Sequence, residues 1–365
     1  MHAIPRSLVT QGMIDLPGRM ALRKLTVKQV RDLAHSSLLA CGASQIHATA
    51  IADMLRAAEE DGCSSHGLFR LPAFLEGCAG GKVNTKAVPL VSSPLASVVR
   101  VNACGGFAQA AEAAGLPKLV SKAKQHGVAM MGVANAHGMS GAMWYPAEQL
   151  ALQGLVSIVC CNTPPYVAAG PGSARRVFGT NPMAFGWPRA AGKPPYVWDQ
   201  ASSVMARGEI EVHRRDGRPL PVGEIGVEPS GELSSDPAAI LAGAQLPFGR
   251  YKGANIAAMI ELLSAALFGS DLAVEPPEGA AFDEYSRGTF ILAIDPANLR
   301  DEGSAAEHGE ALFHALLGGA PDARLPGDRR REHRARVAAG LPIEIPESLY
   351  VRIEELVSTH GASPT

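Results

Sequence analysis

The chain has 365 residues, enough for one large or two ordinary domains. Its composition, 47% hydrophobic and 19% charged, is that of a globular fold. A net charge of −2 offers no basic field to nucleic acid, and no apolar run reaches the roughly 18 residues a membrane-spanning helix needs. Met1 to Met20 carries isolated charges and two prolines without an apolar core, so it reads as an N-terminal extension and not as a secretory signal. Six cysteines occur without C-x-x-C or zinc-finger spacing, and they read as free thiols of a cytoplasmic protein with no metal site.

The first predicted helix opens at Leu25-Thr26-Val27-Lys28-Gln29-Val30. Thr26 and Gln29 form a capping box, and Leu25 and Val30 a hydrophobic staple. The helix runs to about Ala40, where Gly42 ends it. Ser44 caps a second helix with Ile51, Met54, Leu55 and Ala58 on one stripe. Gly62 ends that helix inside the stretch Asp61-Gly62-Cys63-Ser64-Ser65-His66-Gly67-Leu68-Phe69-Arg70-Leu71-Pro72. Here an imidazole lies between two small residues that leave room for a ligand. Arg70 offers a fixed fork of donors suited to a carboxylate. On a short helix His66 and Arg70 share one face. The plain alternative is a capping Ser-His pair beside a solvated Arg.

Residues 72–106 are rich in Pro and Gly and read as loops around a short strand, Ser97 to Val101. An Ala-rich helix at about 108–125 ends at Gly127, and Val128 to Val133 is an apolar strand. The small-residue loop Asn135 to Tyr145 then runs into a helix ending near Gln153. Such a strand–loop–helix step presents backbone N–H groups and a positive helix end to a phosphate. Further strands are read at Gly154 to Cys161 and Tyr196 to Trp198, with a short helix around Arg207 to Glu211. Residues 217–247 read as an exposed excursion. A long apolar helix spans Ala254 to Phe268, and Lys252 just before it puts a cation at a positive helix end, which calls for an anion. Phe290 to Ile294 is a strand, 304–317 a helix, Arg324 to Arg331 a basic loop, and 346–358 an amphipathic helix.

Mixed strands and helices give an α/β or α+β class, of which α/β is taken. No G-x-G-x-x-G joins a strand to a helix; Gly170-Pro171-Gly172 fails at its third glycine, so an ordinary Rossmann domain is not supported.

Several motifs taken in order carry a family likeness. They are Ser65-His66-Gly67-Leu68-Phe69-Arg70, Asn162-Thr163-Pro164-Pro165, Gly179-Thr180-Asn181-Pro182, Gly243 to Gly249, and Arg324-Leu325-Pro326-Gly327-Asp328-Arg329-Arg330. The set resembles the malate/L-lactate dehydrogenase-like oxidoreductases over about Leu25 to Leu356, and within them the Δ1-piperideine-2-carboxylate/Δ1-pyrroline-2-carboxylate reductases. The resemblance implies a non-Rossmann NAD(P)-binding fold, a mixed sheet flanked by helices, joined to a helical substrate-binding and dimerisation domain. It places an N-terminal extension at 1–22, the substrate-binding and dimerisation domain at 23–125 plus 300–365, and the cofactor domain at 126–299. It implies a cytoplasmic homodimer that uses NADPH, with NADH the alternative, to reduce cyclic imino acids to L-pipecolate and L-proline.

Carried over residue by residue, the resemblance implies a relay of Ser65, His66 and Glu209, with Glu209 where the reductases carry Asp. Arg70, Thr180, Arg207 and Gly208 would bind substrate. Met139, Ser140, Gly141, Ala142 and Met143, then Asp199, Gln200 and Ala201, then Tyr251 and Lys252, and finally Arg324, Leu325, Pro326, Gly327, Asp328, Arg329 and Arg330 fall on cofactor-binding segments. Met139 stands where relatives commonly have His. Arg175 and Arg176 are candidates for a 2′-phosphate. Three other readings compete: a malate/lactate-type 2-hydroxyacid dehydrogenase, in which His66 takes the alcohol proton; a Ser-His-acid hydrolase, which lacks a G-x-S-x-G elbow; and a non-catalytic binding protein, which leaves the His, Arg and Lys set without a purpose.

Overall fold

A computed structural model of the chain describes residues 21–138, 141–221, 223–275, 286–320 and 322–361. Strand β1 (Leu22–Leu25) leads into α1 (Val27–Ala40) through the expected capping box. The Gln29 N–H donates to Thr26 Oγ1 at 3.2 Å and the Thr26 N–H to Gln29 Oε1 at 2.8 Å, while Leu25 and Val30 are buried. Ser44 is the extended N-cap of α2 (Gln45–Glu60), but its buried hydroxyl makes no capping bond. Two single 3₁₀ turns, Ser64–His66 and Leu68–Arg70, lead into α3 (Leu71–Ala79). This helix replaces the loop expected from residue 72. Pro72 sits in its first turn, where a missing N–H leaves no helical bond unmade.

The chain continues through β2 (Leu90–Leu95), β3 (Val98–Asn102), α4 (Ala108–His126), β4 (Val128–Ala136), α5 (Trp144–Leu152) and β5 (Val156–Cys161). Short strands β6 (Val167–Ala168) and β7 (Arg176–Phe178) precede β8 (Met183–Trp187) and β9 (Tyr196–Gln200). Then come α6 (Arg207–Arg215), β10 (Gly226–Val227), β11 (Leu233–Ser234), α7 (Pro237–Ala242) and β12 (Ala244–Gln245). Helix α8 (Tyr251–Glu261) widens into a π turn, Leu262–Ala266. The last elements are β13 (Arg287–Ile294), α9 (Ala305–Leu317), α10 (Asp328–Ala338), β14 (Ile343–Pro346) and α11 (Glu347–His360).

A mixed seven-stranded sheet runs in the order β2-β3-β4-β13-β5-β8-β9. Only β3 and β4 are parallel in it. Alternation along its strands feeds two cores. Val101, Met131, Val133, Val159 and Ile291 pack with Leu119 and Ala123 of α4 and Leu150 of α5. Val98, Ala134, Cys160 and Phe290 pack with Ile260 and Phe268 on the other face. The stretch 90–125, which the resemblance groups with the helical unit, contributes β2 and β3 to this sheet and nearly all of α4 to the core on its face. A third core joins α1, α2 and α3 to Val337 of α10, Ile343 and Ile345 of β14, and Ile353 and Leu356 of α11. The first and last described elements therefore close one unit, and β1 pairs with β14 across it. Each fully buried Leu, Ile or Phe in these cores contributes roughly 1.5–3 kcal/mol.

Residues 217–247 are no exposed excursion. They supply β10, β11 and β12 to a five-stranded sheet of order β11-β10-β12-β6-β7, with Leu220, Ile225 and Ile240 buried against Ile210 of α6. Two-residue strands are too short to show a period in sequence.

Candidate active site

The Ser65–Arg70 motif is folded back onto α2 by a buried carboxylate. Glu59, in the last turn of α2, accepts the Leu68 N–H at 2.7 Å. A Cβ on Gly67 would collide with Glu59 Oε1, so the motif's glycine is needed for this close approach. The turn places Ser65 Oγ 3.1 Å from His66 Nδ1. The Arg70 Nε–H donates to Ser65 O at 2.8 Å, so the Arg of the second turn is tied back to the turn that carries the His. Burial first, and the Arg70 charge second, push the His66 imidazole down to about 4. His66 is therefore neutral at pH 7.

Behind His66 stands Trp144, at the first position of α5. The two rings meet nearly at right angles, 80°, with centroids 5.6 Å apart. The indole N–H donates to Asp61 Oδ2 at 3.0 Å. Asp61 also accepts from Arg334 Nε at 2.8 Å, and Arg334 reaches Glu148 of α5 at 2.8 Å. The Arg330 guanidinium lies 5.2 Å from the indole centroid. It donates to Val197 O at 2.9 Å and to Asp199 Oδ1 at 3.3 Å. Sequence reading assigned Trp144 and Asp61 no role, although both fall in stretches it singled out.

On the other side of Arg70 lies α6. Arg70 Nη2 would be 3.6 Å from a Cβ on Gly208, so the missing side chain leaves space beside the guanidinium. Arg207 sits over the Tyr166 ring at 4.2 Å, and Tyr166 also acts electrostatically on Arg70. Tyr166 is a further residue missed from sequence; its signal was its place directly after Pro164-Pro165. Thr180 is held through its hydroxyl, 3.2 Å from Thr163 Oγ1, and its carbonyl accepts the Ser202 N–H at 2.8 Å. Next to it, buried Asn181 accepts the Thr163 N–H at 3.1 Å and donates to Glu261 of α8 at 2.8 Å. The Asn162 and Gly179 motifs are thus two halves of one polar knot.

Glu209 is exposed on the first turn of α6. Among the described residues no hydrogen bond or ion pair joins it to His66, whose Nδ1 partner is Ser65. Arg176 is also diverted: it donates to Gly243 O at 2.7 Å and to Leu241 O at 2.9 Å, carbonyls at the end of α7. Arg175 is exposed.

A family profile described as malate/L-lactate dehydrogenase matches residues 25–354. The chain belongs to the malate/L-lactate dehydrogenase family. It is 41% identical over 336 residues to a Δ1-pyrroline-2-carboxylate/Δ1-piperideine-2-carboxylate reductase of Pseudomonas aeruginosa, covering 90% of this chain and 97% of that protein. It is 39% identical over 341 residues to Δ1-pyrroline-2-carboxylate reductase 1 of Burkholderia ambifaria, covering 91% and 97%. The crystal structure of Δ1-piperideine-2-carboxylate reductase from Pseudomonas syringae pv. tomato superposes with a TM-score of 0.85 at 38% identity, covering 92% of this chain and 99% of that one. The fold is that of the family: a mixed sheet flanked by helices.

The segments read as cofactor-binding in this family member converge from distant parts of the chain. Arg330 ties the 324–330 segment to Asp199. Trp144 ties it to the end of the 141–143 loop. Gly253 packs so closely on Ser202 O, 2.9 Å from where its Cβ would be, that the Tyr251–Lys252 helix start lies beside the Asp199–Ala201 strand end. The Arg324 and Arg329 side chains are exposed on the same segment as Arg330. This donor set fits an anionic dinucleotide. Ala142 and Met143 are buried in the sheet core, which leaves their backbone as the means of contact. Met139 and Ser140 lie outside the described residues. A cleft of about 520 Å³ between α2 and α4 backs onto Gly141 and Ala142 but contains neither His66 nor Arg70.

Proposed function

We propose that this oxidoreductase reduces Δ1-piperideine-2-carboxylate and Δ1-pyrroline-2-carboxylate to L-pipecolate and L-proline, with NADPH as the preferred reductant. The single observation that carries the reading is the placement of Ser65, His66 and Arg70 on two consecutive turns beside Gly208, in a chain about 40% identical to reductases named for these substrates.

Arg70 pairs with the substrate carboxylate and sets the ring over His66; charge-assisted bonds of this kind contribute roughly 1.5–3 kcal/mol each. Arg207 and Thr180 line the pocket on either side. When bound, the reduced nicotinamide supplies a hydride to C2. The C=N electron pair then settles on the ring nitrogen, which keeps its proton and becomes the amine. We assign Ser65 Oγ–H as donor to Nδ1, so the neutral imidazole carries its proton on Nε2. His66 gives or relays the proton that keeps the ring nitrogen cationic until reduction. An arriving carboxylate offsets the Arg70 charge and so makes the imidazole easier to protonate. We keep Glu209 as the relay acid of the substrate-bound enzyme, because its neighbour Gly208 already borders Arg70. Lys252 and the exposed Arg324 and Arg329 bind phosphate, and Arg175 is the remaining candidate for a 2′-phosphate.

A homodimer suits the surface, since α9 leaves Leu312 and Leu316 61% and 48% exposed. Cytoplasmic location suits six free thiols. No helix among the described residues is long and apolar enough to cross a membrane. The roles are tested with His66→Ala, which is expected to lower turnover at least about a hundredfold while the NADPH dissociation constant changes little. Equal losses in both would remove His66 from the chemistry.

A further inference from the structure

We propose that Trp144, anchored by Asp61, is the positioning residue of the His66 imidazole. The inference rests on the reading of His66 as the proton-managing group and adds a residue that the reading does not use. Trp144 is 3% exposed and so is Asp61, yet neither merely fills a core. The indole is fixed at three points. Its N–H is held by Asp61, its ring carries the Arg330 guanidinium and meets the perpendicular His66 ring, and the rest of it packs in the sheet core with Ala58, Met143 and Ala147. Asp61 is held in turn by Arg334, which also binds Glu148 on the helix that Trp144 begins. The anchor therefore joins the end of α2, the start of α5 and α10.

The indole fixes where His66 stands and shields it from water. On the Ser65 side the imidazole has one hydrogen bond, at Nδ1, and a single bond does not prevent rotation about its own axis. The perpendicular indole removes that freedom. The charged groups packed around His66 are Arg70 on the following turn, Arg330 of α10 across the indole, Asp61 beyond the indole, and Asp199 paired with Arg330. Loss of the indole changes shielding and leaves Arg70, the nearest of these charges, in place. A purely structural tryptophan would lower stability and leave His66 as it is.

The test uses full-length Trp144→Leu, Trp144→Phe and Asp61→Asn enzymes. The His66 titration is followed by NMR, its signal identified by loss in His66→Gln, and steady-state kinetics are measured with Δ1-piperideine-2-carboxylate and NADPH. In Trp144→Leu the His66 midpoint is expected to rise from about 4 by at least one unit. Turnover should fall at least about tenfold and the KM for NADPH should stay within about threefold. Trp144→Phe, which keeps a ring and loses the anchor, should recover the low midpoint and the turnover only in part. Should Trp144→Leu fail to fold, Asp61→Asn decides by the same split of turnover from KM. A His66 midpoint and turnover like wild type, with only a lower melting temperature, would overturn the proposal. Wild-type enzyme inactive on every cyclic imine would instead overturn the substrate reading, and the titration would still decide the role of Trp144.

Discussion

Arg70 acts on its neighbour as well as on substrate. Its charge adds to burial in holding His66 down at about 4, against an ordinary value of 6.5. Neutral His66 thus contributes stability that is present above about 6.5 and is lost as pH falls through about 4. Replacing Arg70 with Gln is expected to raise the His66 midpoint and to raise the imine KM by roughly 10- to 100-fold, the value of a charge-assisted bond. NMR titration and initial rates check the two effects, and an unchanged KM would take the carboxylate away from Arg70. The Ser65-His66 pair and Arg70 were legible because they are close in sequence. Trp144 and Asp61 were not, because their contact joins positions 83 residues apart. Glu209 was read from resemblance alone.

Helix α10 shows how an element can be hidden. Asp328-Arg329-Arg330-Arg331 has no apolar stripe, and Val337 is its only buried residue, so periodicity reads it as a basic loop. Ion pairs do what a stripe does elsewhere. Arg334 bonds the buried carboxylates Asp61 and Glu148, and His333 Nδ1 lies 2.9 Å from Glu60 O. Removing the cation takes an ion pair from both carboxylates, while Asp61 keeps the Trp144 N–H and Arg330 at 4.0 Å. Arg334→Leu should therefore cost roughly 2–3 kcal/mol in urea unfolding, less than the roughly 3–5 of breaking a fully buried pair. A loss below about 1 kcal/mol, the worth of a surface pair, would contradict this account of α10. By contrast α1 was legible to the residue, because its capping box is a local signal.

At the scale of the molecule, the α/β class followed from alternating strands and helices, but the sheet order did not. The partners of β13 are β4 and β5, both far earlier in the chain, and no local pattern encodes that choice. One buried group registers this packing directly. Glu112 of α4 accepts the Thr289 Oγ1 hydrogen of β13 at 2.9 Å, and burial pushes its carboxyl up to about 7. Its protonated form stabilises the fold; that contribution is complete below about 4.5 and is lost as pH rises through about 7. Wild-type stability should fall by up to roughly 3 kcal/mol over that window, and Glu112→Gln should flatten the fall. Identical pH profiles for the two proteins, measured by thermal melting, would remove Glu112 from the account.

Oxidation of NADPH is followed with Δ1-piperideine-2-carboxylate, Δ1-pyrroline-2-carboxylate, pyruvate and oxaloacetate side by side, and with NADH in parallel. Fast turnover of the cyclic imines, with keto acids slow and NADPH preferred, is the predicted result. Fast turnover of the keto acids alone would contradict it and make the protein a 2-hydroxyacid dehydrogenase.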